Sequence, residues 1–239
     1  MLVVGGVIAA VTVALAVALV AGGSDDPSAS GGAESTPVAV EGRALPPLPE
    51  GGDDPAIGRD LPTLAGTDVD GRPMTIAADG RPKIVLFLAH WCPHCRAEVP
   101  VVQEWVDAGR LPEGVDLVSV ATANDPRRPN HPAADWLQRE GWTAPVLMDG
   151  PDDEAATAAG LTSFPYFVAV DGDGTVVARA AGELTPAQLD ALVGRLADGR
   201  DAAGSGTGAD SGARAGSGAR AGSGTGAGSS AGVEEEGAR

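Results

Sequence analysis

Ile84-Val85-Leu86-Phe87-Leu88-Ala89, followed at once by His90-Trp91-Cys92-Pro93-His94-Cys95, decides how the rest of this 239-residue chain is read. The six-residue run is apolar throughout and β-branched at its start, the pattern of a strand buried on both faces of a sheet. Directly after it the periodicity changes, and Val99, Val102 and Val106 recur at helical spacing. Pro93 falls in the first helical turn, where its missing N–H costs nothing. A Cys-x-x-Cys pair is thus delivered at the junction of a buried strand and a helix N-terminus. Unpaired backbone N–H groups and the positive end of the helix dipole favour a thiolate on the first cysteine. Two cysteines three apart share a helical face and can close a small disulfide ring. The arrangement suits reversible thiol–disulfide exchange.

Working outward, Leu61 to Leu64 and Pro73 to Ile76 read as a β-hairpin around Asp68-Val69-Asp70-Gly71. Downstream of the helix, which contains Pro100, residues 115–120 form a second buried strand, 132–140 a short helix and 145–148 another strand. Asp152-Asp153-Glu154 place negative charge at the start of a helix reaching Ala159. Residues 166–170 and 175–180 flank Asp171-Gly172-Asp173-Gly174 as an antiparallel hairpin. Thr185-Pro186-Ala187-Gln188 opens a closing helix with a capping box, and Leu189, Leu192, Val193 and Leu196 line one face of it. The aspartates at 68, 70, 171 and 173 fit turns; a calcium loop needs more oxygen ligands in series.

Several of these stretches carry a family resemblance. IVLFLAHWCPHCRAE (84–98) resembles the strand, Trp-Cys-x-x-Cys and helix of the thioredoxin superfamily. The flanks are similar to its TlpA/ResA-like, membrane-anchored branch: Ile57-Gly58, Leu61-Pro62, Asp70-Gly71-Arg72-Pro73-Met74, Cys95-Arg96-Ala97-Glu98-Val99-Pro100 and Thr162-Ser163-Phe164-Pro165-Tyr166. The resemblance spans about 57–198. It implies an α/β thioredoxin-like fold, a central mixed sheet flanked by helices with an N-terminal β-hairpin extension, over 56–198.

Residues 1–23 are apolar and uncharged, long enough to cross a bilayer as one transmembrane helix. They read as an anchor or, with Ala16-Val17-Ala18 as a cleavage site, as a removed signal; either places the domain on the extracytoplasmic side of the cell membrane. Residues 24–55, rich in Gly, Ser, Pro and acid, read as a flexible linker. Residues 199–239 read as a disordered Gly/Ser/Ala-rich tail that repeats Ser-Gly-Ala-Arg-Ala-Gly at 211 and 217. A net charge of −17 argues against nucleic acid as a partner.

The candidate catalytic residues are Cys92, Cys95, Pro93, His94 and Glu98. Cys92, nearest the helix N-terminus, is the nucleophile, and Cys95 resolves the mixed disulfide. A His beside the thiolate makes a disulfide more oxidising. Cys-Pro-His-Cys is the arrangement of DsbA-like oxidants, whereas the TlpA/ResA-like scaffold implies a reductant, and direction stays open between them. The resemblance also implies a proton-transfer role for Glu98; the strand acid of many thioredoxins is replaced here by Leu86. It further implies a cis Pro165 facing the disulfide. Phe164 and Trp91 are then the remaining substrate-binding candidates, and His90 is expected on a solvated rim. No cofactor beyond the Cys92–Cys95 disulfide is expected, and no metal, since zinc wants four ligands and the chain adds only His90, His94 and distant His131. A second reading, a copper metallochaperone using the Cys92/Cys95 pair, is weakened by having only three Met. Expected partners are cysteine-containing protein substrates, a membrane redox partner that recycles the dithiol, and the bilayer through the N-terminal helix.

Overall fold

The computed structural model describes residues 36–204. The apolar segment 1–23, the start of the linker and the tail from 205 lie outside the described residues. Among the described residues no helix is long and apolar enough to cross a membrane.

Along the chain run β1 (Ala39–Glu41), β2 (Thr63–Asp68), β3 (Pro73–Ile76), β4 (Lys83–Leu88), α1 (Pro93–Asp107), β5 (Asp116–Ala121) and α2 (Ala133–Arg139). They are followed by β6 (Val146–Met148), α3 (Glu154–Ala158), β7 (Tyr166–Val170), β8 (Val176–Ala181) and α4 (Pro186–Gly204). One mixed sheet has the order β1-β2-β6-β5-β4-β7-β8, with β3 added on β2. The central β4 runs parallel to β5 and antiparallel to β7. Successive β4 side chains enter opposite faces, as the strand period demands. Ile84, Leu86 and Leu88 pack with Val99, Val102 and Trp105 of α1, Trp136 of α2 and Leu189 and Leu196 of α4. Val85 and Phe87 pack with Ala155 and Ala156 of α3 and with Tyr166 and Val168. Both faces are covered, so the strand reads as an unbroken apolar run, and its end is fixed where the cysteines begin.

The hairpins and caps expected from the sequence are present. Asp68 Oδ1 accepts from the Asp70 and Arg72 amides, and Asp171 Oδ1 from those of Asp173 and Thr175. In the capping box, the Thr185 amide donates to Gln188 Oε1 at 2.9 Å. Helix α3 differs. Its Ala155 and Ala156 amides are capped by buried Asp149 from the end of β6, while Asp153 adopts a left-handed conformation and accepts from the Ala123 amide. Helix α4 runs six residues past the expected boundary at 198, through Ala202 and Ala203, which favour helix.

The linker expectation for 24–55 is corrected over its second half. Val38 and Leu45 are buried, β1 pairs with β2, and the Leu45 and Leu48 amides donate to the carbonyls of Ala158 and Gly160. Gly160 is required here: φ is +71°, and a Cβ would sit 2.3 Å from the Pro46 carbonyl oxygen. The fastening that composition concealed is Arg179. Its fully buried guanidinium pairs with Asp54, donates 2.8 Å to the Pro46 carbonyl and 3.0 Å to the Tyr166 hydroxyl. The Arg179 hydrogen bond holds the Asp54 carboxyl below its usual range. Arg179→Met strips a buried pair of one partner and is expected to cost about 3 kcal/mol. Denaturant unfolding measures that cost, and hydrogen exchange should show the Leu45 and Leu48 amides losing protection.

Candidate active site

Cys92 occupies the N-cap of α1 in extended conformation (φ −74°, ψ 122°), with Pro93 as the first helical residue. The turn is closed by the Cys92 amide on the Ala89 carbonyl and the Arg96 amide on the Cys92 carbonyl. Both cysteines are free thiols. Cys92 is 6% exposed and Cys95 fully buried, with Cys95 Sγ accepting from the Ala89 amide at 3.4 Å. Burial raises the Cys95 pKa strongly, and Cys92 and Glu98 push it further the same way. The inner thiol is therefore held protonated.

Glu98, one helical turn beyond Cys95, is buried at 1% exposure. Both carboxylate oxygens accept from the Leu184 amide at 3.1 Å. One shared N–H offsets little of the desolvation of a charged group, and burial pushes the Glu98 pKa up to about 7. A carboxyl poised there can exchange a proton near neutral pH. The position that carries an acid in many thioredoxins is Leu86, buried in the core. His94 and Pro93 are exposed, and His94 Nδ1 lies 2.7 Å from Glu183 Oε1.

Two of the residues expected to meet substrate, Trp91 and Phe164, touch each other. The Phe164–Pro165 bond is cis, as the resemblance implied. Phe164 meets the Trp91 ring edge to face at 6.0 Å. Trp91 donates to the Ala123 carbonyl at 2.8 Å, and the Arg128 guanidinium lies 3.7 Å above its ring, a cation–π contact. A groove of about 550 Å³ beside Trp91 is lined by Ala123, Asp125, Arg128 and Asp153.

His90 is a correction. Expected on a solvated rim, it is fully buried. Its Nε2 accepts from the Asp125 amide at 3.2 Å, which leaves Nδ1–H to donate to the Pro129 carbonyl at 2.7 Å. Asn130 donates to the His90 carbonyl, and burial lowers the imidazole pKa. His90 thus pins the 123–130 loop, which carries Arg128, to the base of the site. The sequence offered only the turn formers of that loop (Asn124-Asp125-Pro126, Asn130) as a sign. Among the described residues no group of three or more His, Cys, Asp or Glu side chains could hold a metal ion.

A family model described as Redoxin matches residues 55–193, more than half the chain. The chain belongs to the Redoxin family. It is 33% identical over 132 residues to the thiol:disulfide interchange protein DsbE homolog of Paracoccus denitrificans, covering 54% of this chain and 68% of that protein. It is 29% identical over 136 residues to the thiol:disulfide interchange protein HelX of Rhodobacter capsulatus, covering 55% and 69%. In fold it matches a DsbF homologue from Corynebacterium diphtheriae with a TM-score of 0.53 at 19% identity, covering 64% of this chain and 99% of that one. This redoxin is a thiol–disulfide oxidoreductase of the thioredoxin superfamily.

Glu98 and His90 load stability in opposite directions. Glu98, raised when folded, binds its proton more tightly in the native state, so its stabilising contribution is present below about pH 4.5 and is lost as pH rises through about 7. His90, lowered when folded, contributes above its ordinary 6.5 and loses that contribution on acidification. Glu98→Gln removes only the first slope. Its unfolding free energy relative to wild type should therefore rise by roughly 3 kcal/mol between pH 4.5 and 8 in urea titrations. A difference independent of pH contradicts the assignment.

Proposed function

We propose that this redoxin is an extracytoplasmic, membrane-tethered oxidoreductase that exchanges disulfides with cysteine-containing proteins through a mixed disulfide on Cys92. The observation that carries the reading is the asymmetry of the pair. Cys92 sits at the N-cap of α1 and keeps 6% of its surface exposed, whereas Cys95, inside the helix, keeps none and is held protonated by burial. In the reducing direction, Cys92 thiolate attacks a substrate disulfide, the Cys92–substrate bond forms, and one substrate thiolate leaves and is protonated. Cys95 then gives its proton to the Glu98 carboxylate and attacks Cys92 Sγ. The second substrate thiolate departs, and the enzyme keeps a Cys92–Cys95 disulfide. The oxidising direction is the reverse, and both need no cofactor beyond the dithiol.

The rim fits this role. An extended substrate segment can pair with the backbone beside Phe164 and Pro165 while its side chains meet Phe164 and Trp91. The apolar, uncharged run 1–23 supports a tether in the membrane or a secretion signal, and a membrane redox partner would restore the dithiol or disulfide after each turnover.

Cys95→Ser should hold the reaction at its intermediate. With a peptide disulfide, intact-mass measurement is expected to show the peptide covalently retained on Cys92, whereas Cys92→Ser retains none. Retention by Cys92→Ser, or by neither variant, contradicts the proposed roles.

A further inference from the structure

His94, between the two cysteines, has its Nδ1 2.7 Å from Glu183 Oε1, a residue 89 positions later in the turn between β8 and α4. We propose that Glu183 is a positioning residue that lowers the reduction potential of the Cys92–Cys95 couple by neutralising the His94 imidazole, making the site a weaker oxidant than its Cys-Pro-His-Cys motif implies. The proposal rests on the exchange reading above and deepens it by addressing direction.

The imidazole of such a motif acts through its field. A cation beside the Cys92 thiolate stabilises the reduced form, and the disulfide becomes more oxidising. A lone imidazole carries between 0 and +1. Paired with an ionised carboxylate, the two side chains together carry between −1 and 0, whatever the imidazole's protonation state. The thiolate then meets no net positive charge from this pair, and the reduced form loses that stabilisation. The contact also holds the ring, through Nδ1, on the 182–185 turn.

That turn serves both halves of the site. Glu183 meets His94 on the exposed side, and the next residue, Leu184, gives its amide to Glu98 on the buried side. The Glu183 charge also adds to the forces that raise Glu98. Both partners of the His94–Glu183 pair are solvent-exposed, and exposed ion pairs add little to stability. The effect is therefore expected in the redox equilibrium, where the charge sum next to the thiolate counts directly.

The test equilibrates the full chain with glutathione buffers at pH 7 and fixed ionic strength. The reaction is Cys92–Cys95 disulfide plus two glutathione thiols going to the dithiol plus glutathione disulfide, read by thiol alkylation and mass. Glu183→Gln is expected to raise the equilibrium constant for reduction about threefold to tenfold, or roughly 15 to 30 mV at about 30 mV per tenfold change. Glu183→Asp should keep the wild-type value. In a His94→Phe background nothing holds the exposed Glu183 carboxylate at the site, it turns to solvent where its charge is screened, and the Glu183→Gln change should fall below about twofold. An unchanged or lowered constant in Glu183→Gln, or an equal shift with and without His94, overturns the proposal. A wild-type chain that does not equilibrate with glutathione at all instead overturns the exchange reading on which it rests, a result distinct from a couple that titrates but ignores Glu183.

Discussion

Glu98 and the Leu184 amide make the contact through which the two halves of the active site are joined. The carboxylate comes from the first turns of α1, the N–H from the turn that opens α4, and both lie in the core. Leu184 itself packs with Leu189 of α4 and Val99 of α1, so the apolar contact that docks the two helices also places the amide. A charged carboxylate so placed has one shared donor against a desolvation cost of several kcal/mol. The balance moves its proton affinity to about neutrality. The same burial keeps the Cys95 thiol protonated. The acid and the thiol are both reluctant to ionise, they lie one helical turn apart, and the Glu98 charge adds to what keeps Cys95 protonated; in the proposed exchange the proton passes between them.

Around this unit the polar groups hold shape. His90 joins the strand end to the 123–130 loop with both ring nitrogens satisfied, and Trp91, Arg128 and Phe164 form one packed lip. On the opposite face, Arg179 and Asp54 close the N-terminal segment over α3 and β7. Each joins segments distant in sequence, and His90 and Arg179 sit where an unpaired polar group would be costly.

That distance separates what the sequence revealed from what it hid. Strand β4 and helix α1 were legible because their apolar periods differ and the change falls at Pro93. Glu98 and Cys95 were legible as helix neighbours at spacing three. Asp68 and Asp171 announced their turns locally, and Thr185 with Gln188 announced a cap. His90 was not legible, because its burial depends on a loop 35 to 40 positions away. Nor was the packing of residues 38–54: a Gly-, Pro- and acid-rich stretch has the composition of a tether, and only Arg179, 125 positions beyond Asp54, reveals that it is fastened. Asp149, which caps α3 across several residues, was not legible either, because the nearer acids 152–154 satisfy the dipole argument by charge without making the capping hydrogen bonds.

The most direct test of the Glu98–Cys95 unit is the pH profile of the resolving step alone. A peptide mixed disulfide is preformed on Cys92 by rapid mixing, and its breakdown by Cys95 is followed between pH 5 and 9. Wild type should show a rate that rises through an inflection near pH 7, the value of the buried carboxyl. Glu98→Gln should lose that inflection and slow the step at pH 7 by about a hundredfold. A Glu98→Gln profile that matches wild type in rate and inflection would contradict the account, and the proton would then leave Cys95 by another route.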